Sequence, residues 1–346
     1  EATGGDWYPA FSSDRYSYWL MVKNNAAAPT LTYTVADGNT VKIGTTDQTA
    51  DENGKYTLTL TTAQTSITVT SKDGDFTNTY KFGYEEKSAL DVPDKVVDYL
   101  CIGSQYTNTD TGIYPEATLC GGLKSLGNFG GYITYYYEDP ILDNPNNKYG
   151  MDFYVIGNAF AETDSAAEPG QVYVSEDGNS WYALAGSEHY ENTAIWDYTI
   201  TYTKGTDGKA YWTDNYGNSI DYAAKTWPST AYYYMNNTAK KDSYTFTGIL
   251  LKSQLGSMIG DGTAAALATK PKFGYADCYT SNISETTLTD INSYAENPSK
   301  ANGFDVAWAV DENGIPVDVS DKAFHYVKVA TASNIYAGGF ESCTTT

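Results

Sequence analysis

Apolar and polar residues alternate along much of this chain with a period of two. Leu31-Thr32-Tyr33-Thr34-Val35, Tyr56-Thr57-Leu58-Thr59-Leu60 and Ile67-Thr68-Val69-Thr70 each turn apolar side chains to one face and threonines to the other. Successive side chains of an extended strand point to opposite sides, so each run reads as a half-buried strand. Asp37-Gly38, Asn53-Gly54 and Asp73-Gly74 lie between or beside these runs. Such pairs reach the positive φ of tight hairpin turns at little cost. The pattern predicts a small antiparallel sandwich over residues 1–84.

Residues 85–91 form a short charged connector, too short to act as a flexible tether. The rest, 92–346, shows neither a repeat nor a heptad. Its strand candidates include residues 131–137, 152–156, 171–174, 198–202, 244–246, 304–310 and 325–329. The helical stretch Thr263–Ala268 is short. Long polar connections such as 203–243 join the strands, and binding function on a sandwich usually sits in such loops. Val172-Tyr173-Val174-Ser175-Glu176-Asp177-Gly178-Asn179-Ser180-Trp181-Tyr182-Ala183-Leu184 reads as a strand, a glycine turn and a second strand whose Trp packs inward. The expected fold is all-β: a small sandwich at 1–84, then a larger sandwich with long loops at 92–346, Ig-like and jelly-roll-like in what the resemblances of these segments imply.

Three resemblances extend this reading. Pro9-Ala10-Phe11-Ser12-Ser13-Asp14, Tyr16-Ser17-Tyr18, and the closing Ile67–Gly74 with Thr79-Tyr80-Lys81-Phe82 resemble the cadherin-like β-sandwich domain of bacterial cell-surface proteins. That resemblance implies a spacer or presentation module without catalytic residues. The Val172–Leu184 pattern resembles galactose-binding-like jelly rolls. Ser125–Ile133, Asp152–Phe160, Glu168-Pro169-Gly170, Trp212–Asn215, Phe273–Asp277 and Phe304–Asp311 together resemble a family of large gut-bacterial cell-surface proteins with no settled common function. This implies an extracellular or surface location.

Charge narrows the partners. There are 21 Lys+Arg against 43 Asp+Glu, a formal net charge of -22, and Arg15 is the sole arginine. Nucleic-acid binding needs a cationic face that neutralises phosphates, so it is excluded. Anionic lipid surfaces would repel the chain. Apolar runs such as Gly248–Leu251 fall far short of the ~20 residues that span a bilayer, so no membrane insertion is expected. The sequence opens without Met, an apolar leader or a lipid-attachment cysteine, which reads as a trimmed mature chain. Cys101, Cys120, Cys278 and Cys343 allow three pairings or none.

Catalytic signatures are sparse. There is no Gly-x-Ser-x-Gly elbow, no His-Glu-x-x-His helix and no phosphate-binding glycine loop, and only His189 and His325 are histidines. A carboxylate pair would serve a glycoside hydrolase, with Glu168 and Glu188 as candidates. Solvated surface acids are the plainer reading, and the chain is expected to bind and not to catalyse.

Two sites are expected. Asp139, Asp143, Asn144, Asn147 and Asp152 are dense in oxygen ligands of the kind calcium requires, with an ordinary Asx turn as the alternative. A structural calcium is also what the galactose-binding-like resemblance implies. Trp212, Asp214, Asn215, Trp227, Tyr275 and Asp277 lie in or beside loop-like segments. They couple aromatic faces, on which a sugar ring stacks, to acceptors for its hydroxyls. The alternative is that these rings are core. The first expected ligand is a glycan. Capture of a nutrient or cofactor such as a corrinoid follows, and then adhesion to a host or cell-surface protein.

Overall fold

The computed structural model describes residues 5–8, 16–22, 27–86, 93–104, 107, 125–146, 150–155, 169–220, 233, 242–251, 271, 273–278, 303–334 and 344–345. Its first strands are β1 (Gly5–Tyr8), β2 (Ser17–Val22), β3 (Thr30–Thr34), β4 (Thr40–Ile43), β5 (Thr46–Asp47), β6 (Lys55–Thr59), β7 (Thr65–Thr70) and β8 (Thr77–Glu86). Six of them form a sheet in the order β1-β2-β8-β7-β4-β5, and β3 pairs with β6. The contact between β2 and β8 is parallel. The predicted alternation is what fills this sandwich. Leu31, Val41 and Ile67 meet Tyr18, Leu20, Val22 and Phe82 in one core, while the opposite faces carry threonines such as Thr68 and Thr79, whose hydroxyls hydrogen-bond across the strands.

The next strands are β9 (Lys95–Leu100), β10 (Ser125–Gly127), β11 (Tyr132–Ile141), β12 (Phe153–Tyr154), β13 (Gly170–Ser175) and β14 (Tyr182–Leu184). After a single-turn helix α1 (Ser187–Tyr190) come β15 (Ile195–Lys204), β16 (Ala210–Asp214), β17 (Ser243–Leu250), β18 (Gly303–Phe304), β19 (Ala309–Val310), β20 (Phe324–Thr331) and β21 (Thr344–Thr345). The fold is all-β. The main sheet has the order β19-β14-β13-β20-β11-β9, and a three-stranded sheet has the order β16-β15-β17. No helix among the described residues is long and apolar enough to cross a membrane.

One face of the main sheet turns Ile133, Val172, Val174, Val327 and Val329 into a core shared with Val96, Phe304 and Phe324. A second core lies under the three-stranded sheet, with Phe129, Tyr198, Ile200, Tyr202, Trp212 and Leu250. On the other face of the main sheet the described residues leave a cleft, and the candidate site forms there. The helical stretch expected at 263–268 lies outside the described residues, as do Cys120 and Cys343. Cys101 and Cys278 are buried.

Candidate functional site

Strand register sets four distant residues in one row across the main sheet. Asp98 of β9 pairs with Thr134 of β11, Thr134 with Lys328 of β20, and Lys328 with Tyr173 of β13. A second row runs from Tyr132 through Ala330 to Gln171. These rows floor a cleft of about 590 Å³. Its other walls are β17 at Thr245–Ile249, the Trp196-Asp197 corner of β15, and the Asp311-Glu312 turn.

The hairpin between β13 and β14 hangs Trp181 over this floor. Asp177 Oδ1 accepts from the backbone N–H groups of Asn179 and Ser180. Gly178 takes a φ of 75°, beneath the ring of Tyr326, where a side chain would be strained. Trp181 therefore leaves the turn half-buried at the cleft and not in the core, which corrects the inward packing expected of it. The Lys328 ammonium sits 4.3 Å from the Trp181 ring centre and 4.7 Å from that of Tyr173, a cation–π sandwich. Burial holds the Lys328 amine down at about 8, partly offset by the charge of Asp98. Burial pushes the Tyr173 hydroxyl up to about 12, although it also hydrogen-bonds the Ile249 backbone across the cleft.

A β-bulge interrupts the β15–β17 pairing between Ile195 and Tyr198. Asp197 lies in it with a φ of 57°, a left-handed conformation that few non-glycine residues adopt. Bulges re-aim side chains, and this one turns both Trp196 and Asp197 to the cleft.

The residues expected to bind a ligand fare differently. Trp212 lies on β16 and is 4% exposed, because Ala210-Tyr211-Trp212 alternates in and out of the second core. Tyr275 is fully buried, and its hydroxyl meets the Glu188 N–H at 3.1 Å and His189 Nδ1 at 2.8 Å. Asp277 is fully buried as well. Asp214 closes the turn after β16, accepting from the N–H groups of Tyr216 and Asn218 and from the Tyr198 hydroxyl. Asn215 bonds the backbone of Thr199 and Asp197. Trp212, Tyr275 and Asp277 are buried, which corrects the expectation that they face a ligand, while Asp214 and Asn215 hold the surface turn after β16. Trp227 lies outside the described residues. Glu188 is buried against the Thr193 hydroxyl, and Glu168 lies outside the described residues.

The acidic segment gathers in part. Asp143 and Asp152 bring carboxylate oxygens within 4.8 Å of one another and of Asp305, which was not among the expected ligands. The short β12–β18 pair makes this meeting by setting Phe153 opposite Phe304, one residue beyond Asp152 and before Asp305. Asp152 also accepts from the N–H groups of Asn144 and Val306. Burial raises the Asp305 carboxyl to about 6, opposed by the Ala307 N–H and aided by the charges of Asp152 and Asp143. One expected ligand is corrected. Asp139 stands exposed on β11 outside the group, whereas Asn144 adjoins it, donating its N–H to Asp152 and accepting the Asn146 N–H in an Asx turn. Asn147 lies outside the described residues.

No family model matches the chain, and no curated protein matches it. A solved structure, that of a candidate glycoside hydrolase from Bacteroides thetaiotaomicron, aligns with 100% of this chain and 92% of its own, at 12% identity and a TM-score of 0.24. This neighbour is described as a hydrolase, contrary to the expectation of a non-catalytic chain. At that score the likeness assigns no activity, substrate or residue role to this chain.

Proposed function

We propose that the cleft on the main sheet recognises carbohydrate, in a protein displayed outside the cell. One observation supports the reading. The rings of Trp181, Trp196, Tyr173 and Tyr326 line the same space as Asp98, Asp197 and Glu312. Aromatic faces take the apolar faces of a sugar, and carboxylates take its hydroxyls. A glycan array followed by calorimetry tests this. Trp181→Ala is expected to weaken binding about tenfold or more, as loss of a central aromatic anchor does. Array-wide silence, or unchanged affinity in that variant, would remove the proposal. Staining of intact, unpermeabilised source cells tests the location.

A second reading, glycoside hydrolysis at the same cleft, is favoured by the left-handed Asp197 facing a space that Asp311 and Glu312 also line. Strained residues persist where function holds them. Hydrolysis needs one carboxyl to protonate the leaving oxygen and a second to activate water or attack the sugar. Reducing-end release from a bound oligosaccharide, abolished in Asp197→Asn, is the expected sign. Turnover unaffected by that change places the chemistry elsewhere.

Asp143, Asp152 and Asp305 are further proposed to hold calcium. The reading is supported by three carboxylates that together can offer a hard cation several oxygens. Without a cation, Asp305 binds its proton more tightly folded than unfolded, so its ionisation opposes folding as pH rises from about 4 through about 6. Calcium is expected to offset that loss. Chelator should lower the melting temperature at neutral pH, and Asp143→Ala should remove the sensitivity. Identical melts in chelator and in millimolar calcium would rule the ion out.

A further inference from the structure

We propose that the cleft selects sugars whose polar edge donates hydrogen bonds, either neutral hydroxyl-rich sugars or amine-bearing ones, and rejects uronic-acid and sulfated glycans. The inference rests on the carbohydrate reading of the cleft and adds its ligand class. Two independent observations carry it.

The first is charge. Among the described lining residues, Asp98, Asp197, Asp311 and Glu312 face one ammonium, that of Lys328. That ammonium is already engaged by the two rings that sandwich it, and it shares a row with Asp98. An anionic sugar entering the cleft would meet a surplus of carboxylates with no cation left over for it. The chain's net charge of -22 extends the repulsion beyond the cleft until salt screens it.

The second is an unfilled acceptor. Gln171 lies on the cleft floor and is 1% exposed. Its Nε2 donates to the carbonyl oxygens of Val172 and Leu184, both at 2.8 Å. Two carbonyls beside one end of a carboxamide require that end to be the NH₂, so the other end is the oxygen. That Oε1 has no hydrogen-bond partner. Buried polar atoms are nearly always satisfied, and an orphan acceptor beside a cleft is completed by a donor from the ligand. A sugar hydroxyl or ammonium supplies one. A carboxylate or sulfate group only accepts, so Oε1 fixes which edge of a sugar meets the floor, and the rejection of anionic sugars rests on the charge.

The test is a glycan array holding neutral, glucosamine-type and uronate or sulfated oligosaccharides, followed by calorimetry on one member of each class. Neutral and amine-bearing oligomers are expected to bind at least tenfold more tightly than the uronate at low salt, with the gap closing as sodium chloride is added. The double variant Asp197→Asn, Glu312→Gln removes two charges, and Asn tolerates the left-handed backbone at 197. It is expected to narrow the neutral-to-uronate affinity ratio severalfold. Gln171→Met keeps the volume and removes the acceptor, so neutral-sugar affinity should fall about fivefold, the worth of one hydrogen bond. A melt confirms that this variant is folded, and the charge variant stands in if it is not. A uronate that binds the unaltered protein as tightly as the neutral sugar overturns this inference and leaves the carbohydrate reading standing. A ratio unmoved by the double variant does the same. Silence across the array overturns both.

Discussion

Replacing Trp212 by Ala is expected to cost the fold about 3–5 kcal/mol, the range for removing a large buried aromatic. Trp212 faces inward from β16, opposite Tyr202 of β15, and packs in a cluster with Tyr198, Ile200 and Leu250. The deletion leaves a hole that a close-packed interior closes only in part. For a unit of this size the loss corresponds to a fall on the order of 10 °C in melting temperature. Denaturant titration measures it directly, with a lowered midpoint and an unchanged slope. Trp181→Ala provides the contrast. Its ring stands half-open over the cleft, so its loss should affect ligand binding far more than stability. A Trp212→Ala protein that melts with the parent would overturn the core placement.

Acid is expected to act on this fold through His189. Burial depresses its imidazole to about 4, and the ring lies stacked on Tyr275 and edge-on to Trp196. The Gly186 N–H donates to Nδ1 and the Tyr275 hydroxyl adjoins the same atom, so Nε2 carries the proton of the neutral ring. The folded protein thus binds a proton less readily than the unfolded chain, whose histidines titrate near 6.5. The neutral ring's contribution is complete above about 6.5 and is lost as pH falls from there toward 4. Over that window the linkage amounts to about 3 kcal/mol. His189→Asn keeps an acceptor near the Nδ1 position and cannot titrate. Stability curves of the two proteins should converge from pH 7 to pH 4, which separates this effect from carboxylates that titrate in both. Parallel curves across the window would remove His189 as the cause.

What the sequence revealed and what it hid have distinct physical origins. The strands over 31–35 and 67–70 are legible because each buries one face more than the other, and period-two alternation is the direct imprint of that; 171–174 alternates in residue type although both its faces are covered. The turn at Asp177-Gly178 is legible for the same local reason. Trp212 was misplaced although its signal was present. Ala210-Tyr211-Trp212-Thr213-Asp214 alternates like any strand, but it sits in a polar stretch that reads as a loop. Tyr275 left no such signal. It is buried because Gly274, at a φ of 85°, lets the backbone close onto Gly186, and a loop residue carries no periodicity to announce that. Helix α1, at four residues, is too short to show a helical period. The cleft lay furthest from view. Its floor joins residues 98, 134, 173 and 328, and only strand register brings them together. Asp305 joins Asp143 and Asp152 in the same way: the runs 152–156 and 304–310 read as strands, but nothing in either says that they pair.

The position of β20 in the main sheet governs how this protein acquires its structure. Strand β20 lies between β13 and β11, paired with both. Its partners have been synthesised long before it, so β9, β11, β13 and β14 wait with their apolar faces uncovered until residues 324–331 arrive. Joining Tyr136 to Tyr326 closes a loop on the order of 190 residues, an entropic cost of roughly 5 kcal/mol that must be met before the pairing returns anything. Pairings this remote in sequence make folding slow. The main sheet therefore gains its central strand only once residues 324–331 have been made, long after the sandwich of β1–β8 is complete.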